Sequence, residues 1–166
     1  MTIETIMKTE IVSLLTSDTF GTALRIMQER HIRSLPVVSA KGVYQGMVDL
    51  YDVWEVLLPK AATMESTFLQ NLSFLSGSKE RLQEMIAGAE QRPVSEFVNQ
   101  KDVAPIHRDT PLQEAIRLLY DHGGNLPVID KQTGKLVGIV SAWEIIDALT
   151  PRGAEEAIDP VVAIGA

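Results

Sequence analysis

The sequence predicts an α+β fold in which two β-α-β-β-α repeats pack with pseudo-two-fold symmetry, with a helical insert between them in the chain. The main observation is one motif that occurs twice, as Leu35-Pro36-Val37-Val38 and as Leu126-Pro127-Val128-Ile129. A capped helical pattern precedes each copy, and a glycine-containing apolar strand pattern follows it. The copies lie 91 positions apart, beyond the roughly 20–50 residues of a solenoid period. We therefore expect two supersecondary units that form one module.

The first repeat is predicted over residues 2–58. Ile11-Val12 favours a short strand, and Ser17-Asp18-Thr19 is typical of a helix N-cap before apolar residues at helical spacing. The proline of the Leu-Pro-Val segment excludes a helix interior and favours a strand. Val43–Val48 is predicted as the next strand, and Asp49–Leu58 as the closing helix.

The second repeat is predicted over residues 93–150, with its first strand around Val103. Asp109-Thr110-Pro111 combines a capping signal with a proline in the first helical turn. The strands at 126–129 and 135–141 are expected to form a hairpin, followed by a closing helix. The second repeat therefore has the same element order as the first.

Residues 59–92 form the predicted insert, and residues 151–166 form a tail. Two apolar runs at helical spacing flank Ser76-Gly77-Ser78, which predicts a helical hairpin. A flexible linker would be poor in such large apolar residues. We expect the insert to pack on the module or on a second copy.

The composition excludes several classes of function. The net charge is −7, with 22 acidic and 15 basic residues, which argues against nucleic-acid binding. No cysteine is present, so thiol catalysis and thiolate metal sites are excluded. No apolar run approaches the length of a membrane helix, and the three histidines lack metal-ligand spacing. No catalytic constellation occurs, and we expect a cytoplasmic protein without enzymatic activity or a metal centre.

One further motif closes each repeat. It is Gly46-Met47-Val48-Asp49-Leu50-Tyr51-Asp52 in the first and Gly138-Ile139-Val140-Ser141-Ala142-Trp143-Glu144 in the second. Together with the capped helix and the Leu-Pro-Val segment, this motif resembles the tandem CBS domain pair, named after cystathionine β-synthase. The family pattern is glycine, two apolar residues, serine or threonine, two variable residues, and aspartate or asparagine. The resemblance covers both repeats but not the insert or the tail.

The resemblance implies a regulatory module that binds adenosyl ligands in two clefts between the repeats: AMP, ADP, ATP or S-adenosylmethionine. It implies that the first strand and the Leu-Pro-Val segment hold the adenine, the hydroxyl residue contacts phosphate or ribose, and the acid accepts hydrogen bonds from the ribose. Carried onto this sequence, the implied ligand-binding residues are Val12, Leu35, Pro36, Val37, Asp49, Asp52, Val103, Leu126, Pro127, Val128, Ser141 and Glu144.

Each repeat departs from the family pattern at one position. Asp49 replaces the hydroxyl residue of the first repeat, and a carboxylate there would repel phosphate more than it would a neutral adenosine or a magnesium-bridged nucleotide. Glu144 replaces the aspartate of the second repeat with a longer arm, while Ser141 keeps the hydroxyl. All four junction residues have an alternative role at the helix start. Asp49 and Ser141 could act as N-caps, and Asp52 and Glu144 could act as caps or first-turn acids.

Basic residues His31, Arg33 and His122 precede the Leu-Pro-Val segments and are candidate phosphate contacts, with solvated surface as the alternative. Trp54, Trp143 and Tyr51 are expected to act as packing or interface anchors rather than base stackers. The resemblance further implies a homodimer and an unidentified regulated protein. A structural dimerisation module with degenerate clefts is the alternative function.

Overall fold

The computed structural model describes residues 1–58, 78–98 and 104–150. A 3-10 turn at Ile3–Thr5 precedes the first repeat. The elements of the first repeat are β1 (Leu14–Leu15), α1 (Phe20–Arg30), β2 (Ser34–Val38), β3 (Tyr44–Asp49) and α2 (Leu50–Leu57). The elements after it are α3 (Lys79–Glu90), a 3-10 turn (Val94–Glu96), α4 (Leu112–His122), β4 (Leu126–Ile129), β5 (Leu136–Val140) and α5 (Ala142–Leu149). This arrangement confirms the predicted α+β fold of two similar repeats.

The two small sheets have matching topology. In the first repeat β1 runs parallel to β2, which pairs antiparallel with β3. In the second repeat β4 and β5 pair antiparallel, and Ile106 forms a parallel bridge with Val128, as Leu14 does with Val37. The predicted position of the first strand at Ile11-Val12 is therefore wrong by three residues, because Leu14 and Leu15 are the residues that pair with β2.

The two helix starts differ in their capping. Thr19 caps α1 as predicted, since its Oγ1 accepts a hydrogen bond from Thr22 N at 3.2 Å. The second helix instead begins after Pro111, whose side chain cannot cap. Thr110 Oγ1 accepts from His107 N, and Asp109 pairs with Lys131. The predicted Asp109-Thr110 cap is therefore wrong, because both side chains have other partners.

The helix ends correct the alignment of the two copies. His31 terminates α1 in the left-handed region with φ of 53°, and Gly123 terminates α4 with φ of 67°. His31 therefore corresponds to Gly123 and not to His122, although both histidines lie near the end of their helix. The first copy has one residue more than the second between its helix and the Leu-Pro-Val strand. Glycine adopts positive φ without the steric cost that a histidine carries there.

Each lead-in segment packs against the opposite repeat. Near the N-terminus, Ile3 N donates to Thr110 O at 2.9 Å, and Lys8 exchanges two backbone hydrogen bonds with Ile139. Ahead of the second repeat, Val94 N donates in the same way to Asp18 O at 2.7 Å. The exchange ties the two repeats together at both ends.

The exchange also fills the two hydrophobic cores. Val94 belongs to the core of the first repeat, together with Ala89 of the insert helix α3, whereas Ile3 and Met7 belong to the core of the second. The first core is completed by buried residues of its own repeat: Leu14, Phe20, Ala23, Met27, Leu35, Val37, Val48 and Val53. The second is completed by Ile106, Leu112, Ala115, Leu126, Val128, Val140 and Ile145.

Equivalent residues of the two repeats meet across the pseudo-two-fold axis. Tyr44 N donates to Gly134 O, and Leu136 N donates to Gly42 O, at 3.0 and 3.1 Å. Tyr44 corresponds to Leu136 and Gly42 to Gly134, so the two bonds are related by the pseudo-symmetry. The hairpins therefore hold the repeats in one defined orientation.

The described part of the insert is one helix. In α3 the buried residue is Ala89, and the partly buried Ile86 also packs against the core of the first repeat. This places the predicted second helix of the insert on the first repeat. The predicted first helix lies outside the described residues. Within the described part of the chain, no helix has the length and apolar character needed to cross a membrane.

Candidate functional site

In the first repeat, the junction between β3 and α2 is a capping box. Asp49 accepts a hydrogen bond from Tyr51 N at 2.6 Å, and Asp52 Oδ2 accepts one from Asp49 N at 2.7 Å. The side chain of Asp52 is buried, with 8% of the residue's surface exposed. Asp49 therefore acts as the N-cap of α2, which was its alternative role in the sequence analysis. Both carboxylates contribute to the start of this helix.

In the second repeat, the junction between β5 and α5 has the same geometry. Ser141 Oγ accepts from Trp143 N at 3.2 Å, and Glu144 Oε2 accepts from Ser141 N at 2.8 Å. The longer arm of Glu144 also lets Oε2 accept the hydroxyl proton of Ser141. Glu144 Oε1 accepts no hydrogen bond from any described residue. One carboxylate oxygen thus contributes to the helix start, and the other has no hydrogen-bond donor among the described residues.

A cavity of about 480 Å³ lies beside Asp52, and we call it the acidic cavity. Its lining is Asp52, Glu55, Val56, Arg92, Glu96, Phe97 and Val98. This volume lies in the range of small-molecule sites. Arg92 bonds to Glu96 at 2.7 Å and lies 4.6 Å from the ring centre of Phe97. Three carboxylates against one guanidinium that is already paired make this cavity unfavourable for phosphate.

The Leu-Pro-Val segments form the middle strands of the cores. Leu35, Val37, Leu126 and Val128 are fully buried, together with Pro36 and Pro127. Val12 is partly buried and packs on the first core, and Val103 lies outside the described residues. The strand prediction is confirmed, whereas contact of these residues with adenine stays a prediction.

The candidate phosphate contacts lie apart from the acidic cavity. His31 and Arg33 line a groove between α1 and α2, where the ring of His31 lies 2.7 Å from Gln28 O through Nδ1. His122 is the last residue of α4 and is exposed. Their phosphate role stays a prediction. No group of three metal-ligating side chains occurs among the residues that the model describes.

The sequence interpretation missed the aromatic contact beneath the acidic cavity. Phe97 stacks on Phe20, with ring centres 3.9 Å apart. Phe97 belongs to the lead-in of the second repeat, and Phe20 opens the helix of the first. Two phenylalanines were visible in the sequence, but nothing in it placed them together. Their contact depends on the packing of the second lead-in against the first repeat.

Comparison with known proteins locates the same two repeats. The family model of the CBS domain matches residues 3–53 and 94–151. A CBS domain-containing protein of Dictyostelium discoideum is 27% identical over 148 residues, which cover 89% of this chain and 90% of that protein.

Solved structures share the fold. The CBS-pair protein CBSX2 from Arabidopsis thaliana matches with a TM-score of 0.67 and 23% identity, covering 89% of this chain and 93% of that one. A structure of CBSX2 in complex with AMP matches with a TM-score of 0.64 and 22% identity, covering 89% and 95%. A structure of CbpB in complex with c-di-AMP matches with a TM-score of 0.61 and 16% identity, covering 90% of this chain and 84% of that one.

Proposed function

The chain belongs to the CBS domain family, and we propose that it is a regulatory module that binds an adenine nucleotide between its two repeats. The observation that carries the proposal is Oε1 of Glu144, which accepts no hydrogen bond from the described residues, on a side chain that its bond to Ser141 N holds in place. A fixed carboxylate oxygen can accept hydrogen bonds from the two hydroxyl groups of a ribose. The AMP and c-di-AMP complexes of proteins with this fold support the choice of ligand class.

The second-repeat junction is the better candidate for a nucleotide with phosphates. Ser141 offers a neutral hydroxyl beside the N-terminus of α5, where the helix dipole favours an anion. The first-repeat junction carries the carboxylate of Asp49 at the same place, next to the acidic cavity. There we expect a neutral or cationic adenosyl ligand, such as adenosine or S-adenosylmethionine, or a magnesium-bridged nucleotide, to be preferred over free AMP.

A structural dimerisation module with degenerate clefts is the second candidate. The observation in its favour is that the junction side chains are already engaged in the two helix starts: Asp49 and Asp52 accept hydrogen bonds from backbone N–H groups, and the Ser141 hydroxyl donates to Glu144. A ligand that used the Ser141 hydroxyl as a donor would have to displace it from Glu144. A catalytic role has no support from the described residues, and we propose none.

Calorimetric titration distinguishes the two candidates. AMP, ADP, ATP and S-adenosylmethionine are titrated with and without Mg²⁺ into the full chain and into Glu144→Ala. We expect at least one ligand to bind the wild type and to bind the variant at least tenfold more weakly. Asp49→Ser is the matched variant, because serine preserves the cap and removes the charge; it should strengthen binding of AMP. Absence of heat from all ligands at millimolar concentration would leave the structural candidate.

A further inference from the structure

The insert helix α3 covers one side of the first repeat. It packs on both α1 and α2, and its residue Ala89 is 4% exposed in the first core. Gly21 of α1 lies against this helix, since a Cβ at Gly21 would be 3.1 Å from Glu90 Cβ and 3.2 Å from Glu90 O. The chain leaves α3 through Arg92, whose carbonyl accepts a hydrogen bond of 2.9 Å from Phe20 N. This cover is therefore fixed at the start of α1.

The second repeat has no such cover within the described residues. Leu112 N donates to Met1 O at 3.1 Å, so Met1 stands where the first repeat has Arg92. The equivalent of α3 would therefore precede Met1. No helix in the described ranges packs on both α4 and α5 as α3 packs on α1 and α2. Gln113, which corresponds to Gly21, is exposed.

The exposure of equivalent residues locates this uncovered surface. On the outward side of the closing helices the two repeats agree, because Tyr51 and Trp143 are both 69% exposed. They differ at the last residue of each helix, where Leu57 is partly buried and Leu149 is 56% exposed. We call the surface that Gln113 and Leu149 mark the open strip. It corresponds to the side of the first repeat that α3 covers.

The tail repeats the part of the sequence that covers the first repeat. The tripeptide Gly88-Ala89-Glu90, which includes the buried residue of α3, recurs as Gly153-Ala154-Glu155. A Pro-Val pair follows both copies, as Pro93-Val94 and as Pro160-Val161. Each copy also comes after the closing helix of its own repeat. The tail therefore has the same order of residue patterns after α5 that the insert has after α2.

We propose that the tail, residues 151–166, folds back on the second repeat and covers the open strip, with Ala154 in the position that Ala89 has on the first repeat. The tail lies outside the described residues, and it begins directly after Thr150. Its sixteen residues can reach roughly 50 Å when extended, whereas α5 is about 12 Å long. Covalent attachment gives the tail a higher effective concentration at this strip than a separate chain has, which favours the tail as the occupant.

One difference makes this contact looser than its counterpart on the first repeat. Gln113 has a side chain where Gly21 has none, so the tail cannot approach α4 as closely as Glu90 approaches α1. The docking is therefore reversible, and each opening exposes the peptide bonds of the tail to a protease.

Limited proteolysis at Arg152 measures the docking, because trypsin cleaves after arginine and Arg152 lies at the start of the tail. Leu149→Asp removes apolar surface from the open strip, and Ile158→Asp removes it from the tail. Trp143→Asp is the matched control, because it places the same charge on the outward side of α5. We expect the first two variants to raise the cleavage rate roughly tenfold and the control to leave it unchanged, since cleavage follows the population of the open form.

Each rate is divided by that of the free peptide of residues 142–160 with the same substitution, and circular dichroism checks that the variants are folded. Equal normalised rates for the wild type, Leu149→Asp and Trp143→Asp would overturn the proposal. Protection of Arg152 that vanishes on dilution would also overturn it, because a second copy rather than the tail of the same chain would then cover the strip.

A chain that ends at Thr150 tests the contribution of the tail to stability. Its thermal midpoint should lie about 2–4 °C below that of the full chain. Leu149→Asp should lower the midpoint of the full chain by more than that of the shortened chain, because only the full chain has a tail to lose. A shortened chain as stable as the full one would contradict the docking.

Discussion

Asn125 Nδ2 donates a hydrogen bond of 2.7 Å to Ser34 Oγ, and these two residues occupy the same position in the two repeats. Each directly precedes the leucine of a Leu-Pro-Val segment. Two copies of one position can meet only where the pseudo-two-fold axis passes between them. The bond therefore marks the position of the pseudo-two-fold axis in the interface between the repeats.

Loss of this bond should weaken the association of the repeats. We expect Asn125→Ala to lower the free energy of unfolding by about 1 kcal/mol, the usual net contribution of a partly buried hydrogen bond. Urea denaturation of Asn125→Ala, Ser34→Ala and the double variant provides a double-mutant cycle. Strictly additive single effects would show that the two side chains do not interact.

The exchange of lead-ins places Met7 against Gly138, so that a side chain at this position would force Met7 to move. A Cβ at this position would lie 2.6 Å from Met7 Sδ and 3.1 Å from Met7 Cγ, and Met7 is part of the second core. We expect Gly138→Ala to cost about 1–3 kcal/mol, as overpacked cores do. Thermal and urea unfolding measure this change.

Gly88→Ala is the matched control for that substitution. No atom of the described residues lies within 4 Å of a Cβ at Gly88, which is inside α3. Alanine is the better helix former, so stability should rise by about 0.5–1 kcal/mol. If Gly138→Ala were as stable as the wild type, Met7 would not pack on β5 in the way described.

The two capping boxes should respond differently to substitution. Ser141→Ala removes the cap of α5, and we expect a loss of about 1 kcal/mol of unfolding free energy. Asp49→Ser keeps a good N-cap at α2, and we expect a change within about 0.5 kcal/mol. Chemical denaturation of both variants, without ligand, compares them. A larger loss for Asp49→Ser would mean that its charge, rather than its capping geometry, stabilises the junction.

Burial raises the pKa of Tyr44 from 10.0 to about 12. Because the folded state holds the phenol proton more tightly, this contribution to stability is complete below pH 10 and is lost as pH rises towards 12. In an ultraviolet titration of phenolate absorbance, the wild type should show a step near pH 12 that is absent from Tyr44→Phe. The chain has three tyrosines, so the other two remain as an internal control. A lost step centred near pH 10 would contradict the burial.

Much of the fold follows from periodicity and capping. The helices α1 and α4, the Leu-Pro-Val strands and the β3 and β5 strands all fall where apolar spacing and turn residues predict them. The first strand was misplaced because Ile11-Val12 and Leu14-Leu15 are equally apolar, and only pairing with β2 distinguishes them. Likewise, Asp109-Thr110 resembles a cap until Lys131 and His107 engage it.

The sequence by itself determined that the chain has two copies of one unit and which residue types stand at each junction. Duplication and hydrophobic periodicity are patterns of the linear sequence and can be recognised without knowledge of tertiary contacts. Only the tertiary structure decided that the lead-ins cross to the opposite cores and that Ser34 meets Asn125. These features depend on contacts between residues about 90 positions apart, and such contacts leave no local pattern in the sequence.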